Sequence, residues 1–158
     1  MITYKIYENK FQPDFKRLNE EWIKRYFEIE ESDLVALNEP QKYILNKGGE
    51  IFVALENEKV LGVCAMIKSK IPNYNYELAK MAVSPEAQGK GVGFNLANYA
   101  IDWVKAQNAN KIFLDSNSIL EPAIKLYRKL GFSEIQGIES PYARTNIQMA
   151  LDLRIDNL

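Results

Sequence analysis

Histidine is absent from the 158-residue sequence, and cysteine occurs once, at Cys64. Without histidine the chain cannot carry a Ser-His-Asp or Cys-His triad, and one thiol cannot build a zinc site from cysteine and histidine ligands. A single cysteine also excludes an internal disulfide and suits a reducing compartment. Acid–base chemistry must therefore come from carboxylates, tyrosine, lysine, the thiol, backbone groups or water, and no metal site is predicted.

Excess charge and long apolar runs are also lacking. The 20 Lys and Arg residues against 21 Asp and Glu residues leave a formal charge of −1, which argues against nucleic acid as a partner. The longest apolar run, Val60 to Ile67, contains Cys64 and predicts a core position for it; the run is far shorter than the ~20 residues that cross a bilayer. The N-terminus lacks the features of a signal peptide. We therefore expect a cytoplasmic protein with no membrane partner, formed by one domain over residues 1–158.

Hydrophobic periodicity predicts strands and helices in the order β-α-α-β-β-β-α-β-α-β-β, an α/β (α+β) fold with one mixed sheet covered by helices. A period of two residues, with β-branched and aromatic side chains, marks the strands, and a period of three to four residues marks the helices. The predicted strands are Ile2 to Tyr7, Ile51 to Leu55, Val60 to Lys68, Tyr76 to Val83, Lys111 to Leu114, Phe132 to Ile138 and Asn146 to Leu153. The predicted helices are Pro13 to Ile29, a broken region from Ser32 to Asn46, Gly93 to Asn108, and a helix that begins near Pro122 and stops at Gly131.

A glycine-rich turn, Gln88–Gly93, connects a predicted strand to a predicted helix. Glycines let backbone amides approach an anion, and the start of a helix adds free N–H groups and the positive end of its dipole, so the turn could hold a diphosphate. A P-loop is excluded because Lys90 is followed by Gly91 rather than by Ser or Thr. A dinucleotide fingerprint is excluded because its third glycine would fall at Phe94. On its glycines alone, the segment could equally be a flexible turn.

Two motifs together resemble the GNAT superfamily of N-acetyltransferases. The first is Gln88-x-x-Gly91-x-Gly93, and the second, downstream of it, is Ala123-x-x-Leu126-Tyr127-x-x-x-Gly131-Phe132. The order of elements is similar to that of the whole family, so the resemblance covers nearly all of the chain. It implies a mostly antiparallel central sheet flanked by helices. It also implies an acyltransferase that passes the acetyl group of acetyl-CoA directly to a primary amine in a ternary complex.

The resemblance implies that amides of the glycine turn hold the diphosphate, and that the strand before the turn pairs with the pantetheine arm. An N–H near Met81 would donate to the thioester oxygen. The family often has an asparagine at the position of Leu120 in this chain; Asn117 could take its place from another direction. The predicted cofactor contacts are Met81, Ala82, Val83, Gln88, Gly89, Lys90, Gly91, Val92, Gly93 and Asn117.

Tyr127 and Glu77 are the predicted catalytic residues. Tyr127 matches the family tyrosine that gives a proton or hydrogen bond to the departing thiolate, although a tyrosine on a helix could instead only pack. Glu77 lies eleven positions before Gln88, on the strand where one branch of the family carries its base, and its apolar neighbours would raise its pKa. An outward-facing surface carboxylate is the alternative for Glu77, and water could relay the proton.

The acceptor side is predicted from the fold that the resemblance implies, in which the first two helices and the loop between the last two strands border a groove. The candidate residues are Trp22, Tyr26, Tyr142 and Arg144, with Arg144 placed to pair with a substrate carboxylate; core packing is the alternative for the aromatic residues. The expected partners are acetyl-CoA and an amine acceptor, and the exposed closing strands could be the edges of a homodimer. A non-catalytic acyl-CoA sensor on the same fold and a nucleotide-binding site at the turn remain alternative functions.

Overall fold

The computed structural model describes residues 1–154, and the last four residues of the predicted 1–158 domain lie outside them. The predicted order of elements is confirmed. The strands are β1 Thr3–Ile6, β2 Glu50–Glu56, β3 Lys59–Lys68, β4 Tyr76–Val83, β5 Lys111–Ser116, β6 Ser133–Ile135 and β7 Ile147–Asp152. The helices are α1 Gln12–Tyr26, α2 Glu31–Asn38, α3 Val92–Ala106 and α4 Glu121–Lys129.

Most element boundaries shift by one or two residues, and three elements depart further from the sequence prediction. Helix α1 ends at Tyr26 rather than at Ile29, with Phe27 in extended conformation. The broken region from Ser32 to Asn46 separates into α2 and a π-helical turn, Gln41–Leu45, which follows Pro40. Strand β6 covers only Ser133–Ile135. Within residues 1–154, no helix has the length and apolar character that a bilayer span requires.

All seven strands form one sheet in the order β1-β2-β3-β4-β5-β7-β6. Every neighbouring pair is antiparallel except β4 and β5, which run parallel. The parallel pair meets at only two positions, where Tyr76 lies opposite Ile112 and Glu77 lies opposite Phe113. Beyond Glu77 the two strands have no ladder pairs, so the sheet opens into a gap along one side of β4.

A bulge in β4 accompanies this gap. Ala79 pairs with Ala65 and Ala82 pairs with Val63, so Lys80 and Met81 together oppose the single residue Cys64. Lys80 has a φ of +53°, a left-handed conformation that is uncommon for a lysine. Such a bulge bends its strand and shifts the alternation of side chains by one residue. The side chain of Met81 consequently packs toward the helices on the opposite face from Lys80.

The sheet separates two apolar cores, because successive residues of each strand face opposite sides. Helices α1 and α2 cover one face, where buried residues such as Phe15 and Leu37 pack on Ile51 and Val53. Helices α3 and α4 cover the other face, and Cys64 is buried there, in the core as predicted. Strand residues of the first face that lie next to the gap are therefore covered by α1.

Candidate active site

A cleft lies at the gap between β4 and β5 and contains about 700 Å³ of space, including its open mouth. Its floor is formed by β4 and β5, one wall by α1, and the other by α4 and the loop between β6 and β7. The residues that line it are Asn19, Trp22, Ile23, Phe27, Glu77, Leu78, Ala79, Lys80, Met81, Asp115, Ser116, Asn117, Leu120, Tyr127, Tyr142, Arg144 and Thr145. The two predicted catalytic residues, Glu77 and Tyr127, are both among them.

The glycine turn follows β4 through a 3-10 turn, Pro85–Ala87, and leads into α3. Gly91 is the residue before the first helical position and has a φ of +75°, which glycine adopts without strain. Among residues 1–154, no acceptor is bound by the amides of Gly91, Val92 and Gly93. Three free amides at the start of a 15-residue helix suit an anionic group. The Lys90 amide, by contrast, already donates to a backbone carbonyl of the 3-10 turn at 3.3 Å.

Gly93 has no left-handed conformation, and it lies in close packing. A Cβ at this position would lie 3.3 Å from the Met81 side chain and 3.5 Å from that of Leu126. The absence of a side chain lets α3 approach both the β4 bulge and α4. The turn, the bulge and Tyr127 on α4 are therefore held close together.

Tyr127 lies in the last turn of α4, with its ring against Phe132 at a centroid distance of 6.1 Å. Gly131, at a φ of +105°, ends the helix, and the Phe132 amide donates to the Tyr127 carbonyl at 3.0 Å. Burial raises the pKa of the Tyr127 phenol to about 12, and the nearby Cys64 adds to this. The hydroxyl makes no hydrogen bond with any of residues 1–154, and it is not sealed off from the cleft.

Glu77 lies on the α1 face of β4, at the last position that pairs with β5. Burial, and to a smaller extent the charge of Asp115, raise the pKa of its carboxyl to about 7 against the opposing charge of Lys80. No described residue donates a hydrogen bond to this carboxyl. A carboxyl group that titrates near neutral pH in a cleft is suited to accept a proton. Glu77 is partly buried and lines the cleft, whereas the alternative predicts a fully exposed surface charge.

Behind the cleft, α2 and the β6–β7 loop are joined by a group of charged and polar side chains, which we call the Asp33 cluster: Glu30, Asp33, Lys80, Tyr142 and Arg144. The Lys80 ammonium donates to Asp33 and to the Tyr142 hydroxyl, each at 2.8 Å. The Arg144 guanidinium donates to both oxygens of Asp33 at 2.8 Å and to Glu30 at 3.2 Å. Asp33 is 0% exposed and the Lys80 side chain 4%. These bonds connect α2, the β4 bulge and the β6–β7 loop.

The electrostatics of the Asp33 cluster are dominated by its own ion pairs. Burial by itself would raise the pKa of Asp33, but the hydrogen bonds and charges of Arg144 and Lys80 outweigh it and lower the pKa to about 2. Asp33 in turn keeps the pKa of Arg144 above its ordinary value, although burial alone would lower it. Asp33 therefore pairs with both the Lys80 ammonium and the Arg144 guanidinium.

Comparison with known proteins assigns the family. The profile of the family described as Acetyltransferase (GNAT) matches residues 15–132. The chain belongs to the GNAT acetyltransferase family. GNAT enzymes use acetyl-CoA and transfer acyl groups, and the membership of this family predicted from the two motifs is confirmed.

Individual relatives agree with this assignment. Streptothricin acetyltransferase of Streptomyces lavendulae is 29% identical over 82 residues, 52% of this chain; the match spans only 43% of that relative. A GNAT acetyltransferase of Staphylococcus aureus Mu50 has the same fold, with a TM-score of 0.87 at 22% identity over 97% of this chain and 99% of its own. The Salmonella typhimurium protein yncA, solved with its cofactor acetyl-CoA, has a TM-score of 0.74 at 19% identity over 97% of this chain and 94% of its own.

In this GNAT protein, the strand predicted to pair with pantetheine has a free edge, whereas the predicted asparagine is already hydrogen-bonded within the protein. Met81, Ala82 and Val83 lie on β4 beyond its pairing with β5, so their strand has an open edge beside the cleft. Asn117 lines the cleft, but its side chain is already engaged. Its amide donates to the Arg144 carbonyl at 2.7 Å, and its oxygen accepts from the Ile119 amide at 3.0 Å. Asn117 thus holds the β6–β7 loop in this structure.

Three of the four predicted acceptor residues line the cleft. Trp22, Tyr142 and Arg144 line the cleft, whereas Tyr26 is 45% exposed and packs on Trp22 from outside it. Phe27, one position further, is the residue that reaches the cleft. The guanidinium of Arg144 is engaged by Asp33, so it is not free to pair with a substrate carboxylate in this arrangement.

Sequence reasoning missed three residues of the site, Asp33, Lys80 and Asp115. Asp33 belongs to a capping box with Glu30 at the start of α2, a local signal that explains the aspartate without its ion pairs. Lys80 is an ordinary charged residue within the predicted strand Tyr76 to Val83, and Asp115 directly follows the predicted strand Lys111 to Leu114. Among residues 1–154, no three His, Cys, Asp or Glu side chains are grouped as a metal site would require.

Proposed function

We propose that this GNAT protein is an acetyl-CoA-dependent N-acetyltransferase that acylates a primary amine by direct attack in a ternary complex. One observation carries the proposal. A single cleft contains an unpaired tyrosine hydroxyl, a carboxyl group with a pKa near 7 and the open edge of β4, and it adjoins a turn with free amides. Acyl transfer to an amine needs an acid for the thiolate, a base for the amine and an oxyanion donor.

Acetyl-CoA supplies the thioester, and the chain offers places for its two ends. The amides of Gly91, Val92 and Gly93 and the start of α3 suit the diphosphate, as the family resemblance implies for the whole turn. The open edge of β4 at Met81–Val83 suits an extended amide-containing arm, which would add to the sheet as a strand does. The gap between β4 and β5 leaves room for it.

Glu77 and Tyr127 handle the protons in this proposal. The pKa of Glu77 is about 7, so at pH 7 its carboxyl is ionised in roughly half of the molecules. The ionised carboxylate accepts the proton that the amine loses as the amine nitrogen bonds to the acyl carbon. Tyr127, protonated at neutral pH because its pKa is about 12, gives its proton to the sulfur as the carbon–sulfur bond breaks. The products are an amide and a free thiol, and return of the proton from Glu77 to Tyr127 restores both groups.

The test of the proposal is an acetyl-CoA consumption screen across classes of amine, with free thiol as the readout. With an accepted amine, Tyr127→Phe is expected to lower kcat by about 10²-fold, the lower end of the range for general acid catalysis, with little change in the KM of acetyl-CoA. The variant keeps the ring on Phe132 and removes a hydroxyl without a protein partner. Tyr99→Phe, at an exposed position on α3, is the matched control and should retain full activity.

A non-catalytic acyl-CoA sensor would give a different result. Acetyl-CoA would still protect the protein against heat, since ligands that bind the folded state stabilise it. No amine would then release thiol, and Tyr127→Phe would change nothing beyond binding. Heat protection by ATP but not by CoA would instead favour a nucleotide site at the glycine turn.

A further inference from the structure

The acceptor end of the cleft contains two carboxylates on one face of the sheet. Glu77 lies opposite Phe113 in the ladder, and Asp115 is two residues beyond Phe113 on β5. Side chains two residues apart share a face of a strand, so Glu77 and Asp115 both point to the α1 side, where both line the cleft. They are close enough that the charge of Asp115 raises the pKa of Glu77.

Neither carboxylate is neutralised by the cations of the cleft. Lys80 and Arg144 are the cationic side chains among the described lining residues, and both are bound to Asp33, with Arg144 also bound to Glu30. Two positive and two negative charges balance within the Asp33 cluster. The charge of Asp115, and that of Glu77 when its carboxyl is ionised, are therefore available to a ligand.

The hydrogen bonds of the two carboxylates agree with the absence of a cationic partner for either of them among the described lining residues. Asp115 accepts hydrogen bonds from the Ser140 hydroxyl at 2.8 Å and from the Gln148 amide at 2.6 Å, which are neutral donors that position the group without cancelling its charge. Glu77 is partly buried, faces the cleft and accepts no hydrogen bond from residues 1–154. A carboxylate that faces the cleft without a donor from these residues is open to a ligand that donates hydrogen bonds to it.

Aromatic side chains complete the acceptor end. Trp22 and Phe27 line it with ring centroids 6.5 Å apart and ring planes inclined at 47°. Their faces attract ammonium groups and also bury alkyl chains. The Tyr142 ring already has the Lys80 ammonium at 4.7 Å and the Arg144 guanidinium at 4.4 Å, so Trp22 and Phe27 are the rings open to a ligand.

We infer that the acceptor is a primary alkylamine that carries a second positive charge, with its reacting nitrogen at Glu77 and its second cationic group at Asp115. This inference rests on the proposed N-acetyltransferase function for the identity of the cleft. It excludes amino acids and other acceptors with a free carboxylate near the amine, because such a group would meet two carboxylates and no unpaired cation. Neutral monoamines would fill only half of the site.

The test uses three probes with matched five-carbon chains: 1,5-diaminopentane, pentylamine and 5-aminopentanoate. Each is titrated calorimetrically into the full chain saturated with CoA, which measures acceptor binding without requiring transfer. The diamine is expected to bind at least about tenfold more tightly than pentylamine, and 5-aminopentanoate is expected to bind most weakly. Free-thiol release from acetyl-CoA is measured separately with the same probes.

Asp115→Asn sharpens the test, because asparagine keeps an oxygen for Ser140 and removes the charge. It should reduce the preference for the diamine over pentylamine to about threefold or less, with pentylamine binding unchanged. Asp102→Asn, at an exposed position on α3, removes the same charge away from the cleft and should leave the preference intact. Thermal unfolding checks that both variants fold, and the comparison of probes on the unaltered protein does not depend on either variant.

Failure of the inference and failure of the proposed function give different results. Equal binding of the three probes, stronger binding of pentylamine or 5-aminopentanoate, or no binding at all would overturn the inference. Selective binding of the diamine that is lost in Asp115→Asn supports it, whether or not thiol is released. Absence of thiol release with every amine that binds would overturn the proposed function instead.

Discussion

The two ends of the cleft are built by different means. The proposed cofactor end is a contiguous turn beside the cleft, Gln88–Gly93, which offers backbone amides and the start of α3. The acceptor end is built from side chains far apart in the sequence, since Lys80 is 47 residues from Asp33, and Arg144 is 111 residues from it. A short segment can hold a common cofactor, whereas recognition of a particular acceptor requires several elements to meet.

Solvent access follows the same division. The turn residues from Gln88 to Gly91 are exposed, so this part of the turn is in contact with water when no anion is bound. Asp33 is fully buried, and its partners must be supplied by the protein itself. We therefore expect damage at the acceptor end to cost stability, and damage at the turn to cost mainly cofactor affinity.

The largest effect is expected from Asp33→Ala. The substitution leaves the Lys80 ammonium and the Arg144 guanidinium buried without their carboxylate, and breaking a buried pair from one side costs about 3 kcal/mol or more. Urea unfolding at pH 7 measures the loss. Because Asp33 is not at the turn, heat protection by CoA should persist in the fraction that folds.

Asp152→Ala is the matched control for Asp33→Ala. The pKa of Asp152 is also lowered to about 2, by its hydrogen bonds to Arg154, but this pair lies on the surface and should contribute little. Equal losses in the two variants would contradict the comparison between the ends of the cleft. For Asp33 the pKa in the folded state lies below its ordinary value of 3.8, so its stabilisation is present above that pH and is lost as the pH falls toward about 2.

A smaller effect, with a distinctive pH dependence, is expected from Glu77→Gln. If Glu77 is the base, kcat/KM of the unaltered enzyme rises with pH through about 7, as the carboxyl ionises, and then levels off. The glutamine variant should lose this limb and at least about tenfold in kcat/KM at pH 8. A pH–rate profile of both proteins tests whether Glu77 is the base. If kcat/KM of the variant still rises through pH 7, the base is water or another group.

Glu77→Gln should also change stability in the opposite direction from Asp33→Ala. The pKa of Glu77 is raised from 4.5 to about 7 on folding, so the folded state holds a proton that the unfolded state has released. Stability contributed by this group is present below pH 4.5 and is lost as the pH rises through about 7. The neutral glutamine avoids that loss, so thermal unfolding at pH 8 should show a higher Tm for the variant than for the unaltered protein.

The features that local sequence determines were predictable. The order of strands and helices follows from hydrophobic period, and the glycine turn follows from residues that are adjacent in the chain. Tyr127 could be placed because Gly131 and Phe132 mark the end of its helix. Strand β6 was predicted to be too long, because the apolar pattern continues past Ile135, whereas the pairing with β7 stops at that residue.

The acceptor end was not predictable, because its contacts depend on pairing over long range. The bulge at Lys80 arises from the register between β3 and β4, and no residue type in the sequence indicates it. Without the bulge, the alternation along β4 would place Lys80 on the α3 face, away from Asp33. Arg144 was predicted to meet a substrate for the same reason, since its pairing with Asp33 is decided by tertiary structure alone.

The smallest effect is expected at Gly91, and Gly137 provides the matched control. Both glycines have positive φ, +75° and +92°, so alanine at either position should destabilise the fold by about 1 kcal/mol through backbone strain. Gly91 begins α3 at the predicted diphosphate site, whereas Gly137 lies in the β6–β7 loop with nothing within 4 Å of its Cβ position. Gly91→Ala should therefore raise the KM of acetyl-CoA several-fold, and Gly137→Ala should leave it unchanged at a similar loss of stability. Since the strain is common to both variants, a difference in KM isolates the contribution of the turn to cofactor binding. Equal KM values would mean that the conformation of Gly91 contributes to folding but not to holding the cofactor.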